Sequence, residues 1–543
     1  MKTSISVSPE GIEYPLPARE DYVREFKRLQ ERVNQARLEN QEIVVVMGVG
    51  FVGAVMAAIV ADTTDDSGHP TKFVIGMQRP SPRSFWKIPT INKGISPVKA
   101  EDPEVEPMFH RCVNVKKTLT ATFTNEALSL ADVVIVDVQL DYVKEDLGQV
   151  KTGRVDMEAL EDSLGIIAQH IFPETLVIIE TTVAPGTTEQ VALPLMRRIF
   201  KQRGIHSDPL LAHSYERVMP GRNYVQSVRD FWRVCSGVND AAKEKVVRFL
   251  NEVLNTREFP LTVLDRPIES ETAKIVENSF RATILAFMDE WSLFAERNGV
   301  DIIKVIEAIK KRPTHSNLIF PGPGVGGYCL PKDGGLGVWA YRHILGFEDD
   351  IFKMTPAAID VNDTRALHAA QLVRDALRNM GLPIASAEVL VLGASYREDV
   401  GDTRYSGSEI LIRKLSEMGA EIRVHDPYVD IWWEFRNQEV YPDHGKHVFF
   451  RNQKKLKDLE VQKDLDHALD DIDVLVFAVR HQDYMDLDPS TVVKRIGKPV
   501  AVVDCFGILS DEKIVQYLQL GCEVKGLGRG HIKRLKEQIH KRS

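Results

Sequence analysis

From residue 42 onward, short apolar runs alternate with amphipathic stretches, and the alternation starts again near residue 388. The runs at 43–47, 73–76, 133–138 and 176–179 are dense in Val and Ile, as strands buried on both faces require. A stretch of helical period at 157–170 lies between two of them. The pattern predicts a parallel sheet covered on both faces by helices. Residues 268–297 contain neither Gly nor Pro, and Ile275, Phe280, Ile284, Leu285, Met288 and Leu293 recur close to the helical period, which predicts one long helix. Further helices are expected at 301–311, stopping before Pro313, and at 362–380, closed by Gly381 and Pro383. A second α/β unit follows, with strands at 388–392, 421–425, 474–479 and 500–503 and a helix at 408–418 that ends at Gly419. Residues 432–465 are polar and irregular and read as an insertion. Residues 18–39 read as a surface helix ahead of the first strand.

A chain of 543 residues is too long for one core, so two or three domains are expected. With 43% hydrophobic and 27% charged residues and a net charge of -9, it is globular in composition and gives no reason to expect nucleic-acid or membrane binding. The basic run 531–542 reads as a solvated terminal helix. The cysteines, Cys112, Cys235, Cys329, Cys505 and Cys522, form no CxxC pair, so neither a metal site nor a disulfide framework is expected. A reducing, cytoplasmic setting fits. Residues 1–40 have no apolar core, so they do not read as a secretory signal. The stretch 43–61 is uncharged and nearly long enough to span a bilayer, but its three glycines make it a strand, turn and helix.

That turn is the first motif. In Gly48-Val49-Gly50-Phe51-Val52-Gly53, Gly48 suits a tight turn, Gly50 lets backbone approach a pyrophosphate, and Gly53 lets helix pack on strand. The helix that opens there offers unpaired N–H groups to phosphate. A dinucleotide cofactor is expected. The strand at 73–76 runs into Gln78-Arg79, where an acidic residue would hold a ribose 2′-hydroxyl. Gln78 can hydrogen-bond that hydroxyl, whereas Arg79 or Arg83 can meet a 2′-phosphate, so NAD is favoured and NADP stays open. The second motif is the glycine-rich loop 321–333, in which Cys329 precedes Lys332 and Asp333. Glycines there let backbone approach a ligand, the thiol is a candidate nucleophile, the lysine favours thiolate, and the aspartate can accept a proton.

Taken in order, the blocks GVGFVG at 48–53, INKGISPV at 91–98, ETTVAPGTTE at 180–189, ERVMPG at 216–221, ETAKIVENSF at 271–280, GVGGYCLPKD at 324–333 and DVGDTR at 399–404 resemble the UDP-glucose/GDP-mannose dehydrogenase family over roughly residues 42–530. The resemblance implies an α/β chain of two Rossmann-like, doubly wound domains joined by a long central helix and a helical middle region. The implied boundaries are an extension at 1–40, an NAD domain at 41–255, a central dimerisation region with the Cys loop at 256–382, a UDP-sugar domain at 383–530 and a basic tail at 531–543. It implies a homodimer or higher homo-oligomer, a nucleotide-sugar substrate, and a four-electron oxidation of a C6 alcohol that uses two NAD in turn.

On this resemblance Cys329 is the nucleophile that forms a thiohemiacetal and then a thioester. Lys274 and Asn278 stabilise oxyanions from one helix face. Asp333 positions water and the lysine, Glu216 is the general acid/base, and Thr182 lies where nicotinamide and a catalytic water meet. Gly48, Gly50, Phe51, Val52, Gly53, Gln78, Arg79, Thr182 and Lys332 fall on the cofactor. Glu216, Arg217, Lys274, Asn278, Gly326, Gly327, Arg397 and Arg404 fall on the substrate. The family usually has Lys where this chain has Arg397. The ERVMPG and GVGGYC blocks look most like the branch acting on UDP-N-acetylhexosamines, with UDP-glucose and GDP-mannose as alternatives. Two other classes stay open at this point: a two-electron NAD dehydrogenase with no covalent thiol, and a nucleotide-sensing scaffold without chemistry.

Overall fold

The computed structural model describes residues 4–219, 221–436, 450 and 453–541. The chain divides into two compact units. The first comprises residues 1–141, 155–275 and 340–347, and the second residues 142–154, 276–339 and 348–543.

The first unit is built on an eight-stranded sheet. From one edge its strands are Thr262–Val263, Val234–Gly237, Leu210–His213, Leu176–Ile179, Val133–Val136, Glu42–Met47, Lys72–Met77 and Leu119–Thr122. All pairings are parallel except Leu210–His213 with Val234–Gly237. The first strand therefore lies mid-sheet. The chain builds outward on one side through Lys72–Met77, then crosses to the other side at Val133–Val136. That reversal makes a topological switch point, where open α/β sheets leave a crevice beyond the carboxyl ends of their strands. Helix Phe51–Asp62 follows the first strand, and Gly53–Ala61 are buried on all sides, which is why residues 43–61 read as uncharged. Among the described residues no helix is long and apolar enough to cross a membrane.

The second unit repeats the plan. Six parallel strands run in the order Val461–Gln462, Glu421–His425, Glu388–Leu392, Val474–Phe477, Ala501–Asp504 and Glu523–Gly526. The helix Pro267–Asn298 has 32 residues, and the next is Ile302–Lys310. The helix expected at 362–380 instead spans Met354–Asn379. It starts eight residues early because Pro356 falls in the first turn, where its missing N–H has no partner to lose. The basic run forms helix Ile532–His540. The segment 432–465 includes 437–449, 451 and 452, which lie outside the described residues. Its described part forms Trp433–Arg436, a 3₁₀ turn at Gln453–Asp458 and the edge strand Val461–Gln462.

Candidate active site

In the first unit the glycine loop leaves the central strand at the switch point. Gly48 has φ +102°, and a Cβ on it would lie 2.4 Å from the Asp137 carbonyl oxygen. A Cβ on Gly53 would lie 2.0 Å from the Gly48 carbonyl oxygen. Gly50 is the opposite case, since a Cβ there meets nothing within 4 Å. Two glycines thus serve the protein's own packing, and the third borders open space at the N-terminus of Phe51–Asp62. This is the cradle a diphosphate needs, so the residues fit a dinucleotide. Phe51 stacks on Tyr224 at 4.8 Å, and Val52 beside it is half-buried. Gln78 is half-buried just past its strand and Arg79 is exposed.

A polar group is buried at the carboxyl ends of the neighbouring strands. Lys274 donates to the Glu216 carbonyl oxygen at 2.8 Å, and its Nζ lies 3.9 Å from Glu216 Oε1 and 5.3 Å from the Tyr215 ring centre. Both residues are buried. Arg217 covers the same ring at 5.5 Å and donates to the Trp232 carbonyl oxygen. His213 shares a 2.7 Å hydrogen bond with Ser270, and burial together with the Lys274 charge pulls its pKa down to about 3, so the ring is neutral. Thr182 is half-buried in the loop past Leu176–Ile179. That loop is tied to the long helix by Glu271, which accepts from the Gly186 and Thr188 amides at 2.6 and 2.8 Å.

In the second unit Cys329 is half-buried, whereas the other four cysteines are buried. Burial pushes the thiols of Cys112 and Cys235 up to about 12 and about 11 and raises those of Cys505 and Cys522. The Cys329 carbonyl accepts from the amides of Lys332 (3.2 Å) and Asp333 (2.9 Å), which turns the loop into helix Asp333–His343. Lys332 Nζ is 2.8 Å from Asp333 Oδ1, and Asn278 donates to Asp333 Oδ2 at 2.7 Å. Lys332 and Asp333 are 3% and 0% exposed, so this is an enclosed ion pair. Lys332 also lies 4.5 Å from the Tyr328 ring centre, and Arg404 lies over the same ring at 5.8 Å. The Arg404 guanidinium and the Tyr396 phenol both lie within electrostatic range of Cys329. Arg404 is fixed by Asp402, with Nη2 to Oδ2 at 2.6 Å. Arg397 is half-buried and pairs with Glu398 at 3.5 Å.

Two expectations change. The loop glycines were read as room for a ligand, but a Cβ on Gly326 would lie 2.1 Å from the Tyr405 carbonyl oxygen, and one on Gly327 would lie 3.0 Å from the Tyr396 ring. They let two loops of the chain close on each other. The cationic help for the thiol was assigned to Lys332 alone, and Arg404 supplies a second cation. Asp137, Glu180 and Arg233, none of them assigned a role by the sequence, form an ionisable group behind the glycine loop in which Glu180 and Arg233 are buried and Asp137 is half-buried. An aspartate directly after four apolar strand residues, Val133–Val136, was the signal.

Three stretches of the chain match the UDP-glucose/GDP-mannose dehydrogenase family: its NAD binding domain at 42–255, its central domain at 268–364 and its UDP binding domain at 390–511. The chain belongs to this family. The UDP-N-acetyl-D-mannosamine dehydrogenase of Pyrococcus horikoshii is 26% identical over 489 residues, covering 90% of this chain and all of that one. The UDP-glucose 6-dehydrogenase of Bacillus subtilis is 25% identical over 75% of this chain and 81% of its own. Among solved structures, the NDP-N-acetyl-D-galactosaminuronic acid dehydrogenase of Methanosarcina mazei superposes with a TM-score of 0.71 at 26% identity, covering 93% of this chain and 98% of that one. The first unit thus carries a nicotinamide-dinucleotide domain and the second a nucleotide-sugar domain, and the chain is a nucleotide-sugar dehydrogenase by family.

Proposed function

We propose that this chain oxidises the C6 primary alcohol of a UDP-N-acetylhexosamine to the carboxylate, taking four electrons in two steps and holding the intermediate on Cys329. The observation that carries the reading is the setting of Cys329: the one thiol of five that is not buried, within the field of Arg404 and next to the Asn278–Asp333–Lys332 cluster. When bound, the oxidised nicotinamide accepts the hydride in each step. The Cys329 sulfur adds to the aldehyde carbon as a thiohemiacetal, and its oxidation leaves a thioester. Water then attacks the acyl carbon and expels the thiol, so the aldehyde is never released. Lys274 and Asn278, four apart on one helix, supply cation and amide donor to developing oxyanions. Glu216 moves the proton of the attacking water, Asp333 holds Lys332 and Asn278 in place, and Thr182 positions the reacting end of the cofactor. Arg397, Arg404 and Arg217 are assigned to the anionic substrate.

NAD is the inferred cofactor, since Gln78, half-buried just past its strand, can hydrogen-bond a ribose hydroxyl. The N-acetylhexosamine assignment rests on relatives named for UDP-N-acetyl-D-mannosamine. A homodimer is inferred from the long helix, where Val276, Phe280, Phe287, Trp291 and Phe294 are 46–58% exposed at spacings of four, seven, four and three. Such a stripe matches a helix seam for a second copy.

The test is a panel of UDP- and GDP-sugars with NAD and NADP, counting cofactor reduced per acid formed. Two per acid is expected, and Cys329→Ser should form no acid. One equivalent per product, or full acid production by that variant, would replace the covalent reading with a two-electron dehydrogenase.

A further inference from the structure

Behind the glycine loop, the residue that ends the strand across the switch point is Asp137. Its amide donates to the Met47 carbonyl oxygen at 2.8 Å, and a Cβ placed on Gly53, in the first turn of Phe51–Asp62, would lie 2.9 Å from Asp137 Oδ2. The carboxyl is therefore packed against the helix end that borders the diphosphate cradle. Glu180 stands at the end of the next strand, within hydrogen-bonding reach of Asp137. Each carboxyl has one enclosed oxygen, Asp137 Oδ2 and Glu180 Oε2, that finds no donor among the described residues. Two carboxyl groups within that reach can bond to each other only when a proton lies between them.

Charge balance says which acid carries it. The groups around Asp137 are Glu180, Glu216 beyond Leu210–His213, Arg233 ahead of Val234–Gly237, and Lys274 beside Glu216 on the long helix. Helix Phe51–Asp62 brings no charge to this end. Arg233 Nη1 is 2.7 Å from Glu180 Oε1, with both side chains 3% exposed, and Lys274 lies 3.9 Å from Glu216 Oε1. Each cation has its carboxylate, which leaves Asp137 as the third acid with no cation of its own. Burial first, then the Glu180 charge, push Asp137 well above the ordinary carboxyl range.

We propose that Asp137 is a cofactor-positioning residue that works as a neutral acid, sharing one proton with Glu180 and so leaving the first turn of Phe51–Asp62 free for an anionic dinucleotide. Ionised, its carboxylate would take up the positive end of that helix and repel the diphosphate. The inference rests on the dinucleotide reading above and goes beyond it, because it makes cofactor binding depend on a proton.

Calorimetric titration of the full chain with NAD across a pH series, in buffers of different ionisation enthalpy, tests it. The wild-type Kd should rise with pH by about tenfold per unit once the shared proton is lost. In Asp137→Asn the group cannot ionise, and Kd should stop changing with pH. In Glu180→Gln, Asp137 becomes the carboxylate nearest Arg233 and ionises, so binding should already be weak at neutral pH. A wild-type Kd as flat as that of Asp137→Asn, or wild-type binding by Glu180→Gln, overturns the proposal. Infrared difference spectra of the wild type alone should show the carbonyl stretch of a protonated carboxyl; its absence overturns the proposal even where a variant fails to fold. Absence of binding by NAD and NADP at every pH, with that band present, defeats the dinucleotide reading instead.

Discussion

The enclosed pair Lys332–Asp333 gives the sharpest measure of how the Cys329 loop is held. At 2.8 Å and an effective dielectric of about 20, the attraction between the two charges is about 6 kcal/mol. Removing each ion from water costs several kcal/mol, so the pair contributes little net stability against two apolar residues of the same size. Losing one partner is a different matter. Lys332→Met strands a carboxylate that is 0% exposed and leaves it the hydrogen bond from the Asn278 amide. The expected cost is about 3–5 kcal/mol. Asp333→Asn strands the ammonium and should cost a similar amount. The double variant should cost well under the sum of the two. The assay is equilibrium urea unfolding read by hydrogen exchange on peptides from 326–339, which lie wholly in the second unit. Additive effects, or a Lys332→Met cost below about 1 kcal/mol, would mean that the pair is not enclosed and would refute the reasoning.

Three further outcomes are expected. Gly53→Ala should not fold properly at the loop, since its Cβ would lie 2.0 Å from a carbonyl oxygen, whereas Gly50→Ala has room to fold and should lose NAD affinity by calorimetry; equal behaviour of the two would contradict the cradle. Burial raises Glu271 from 4.5 to about 7, so the folded state holds a proton that the unfolded state has lost between those values. The contribution to stability is therefore full below about 4.5 and falls as pH rises to about 7, and Glu271→Gln should flatten that part of the melting temperature profile. Phe287→Glu places a charge in the middle of the exposed stripe and should convert a dimer to a monomer in light scattering, with no change expected if the stripe is not a seam.

Much of this arrangement was legible because the chemistry lies in local motifs. The strands at 176–179 and 388–392 carry runs of apolar residues that mark them as strands, and 421–425, which has no such run, is bracketed by Gly419 and Asp426-Pro427. Leu119–Thr122 was not read as a strand, because three of its four residues are Thr or Ala, although all four are buried. Val234–Gly237 is also buried throughout, but Cys235, Ser236 and Gly237 are small and give no apolar run. Helix Asp333–His343 was hidden by Gly334 and Gly335, whose missing side chains make room for Thr355 and Tyr142, partners distant in sequence. The pairing of Arg404 with Asp402 is two residues long and readable, but its approach to Cys329 depends on a loop contact seventy-odd residues away, Gly327 N–H to the Arg404 carbonyl oxygen at 2.9 Å. Asp137 was overlooked because only the fold shows that three acids and two cations share one interior.

The unequal burial of the five thiols has a practical corollary. A maleimide or haloacetamide applied to the native protein has one foothold, because the other four sulfurs are shielded and hard to ionise. Label incorporated per chain then counts competent molecules in a preparation, and protection of that label by a sugar nucleotide yields a dissociation constant without any turnover.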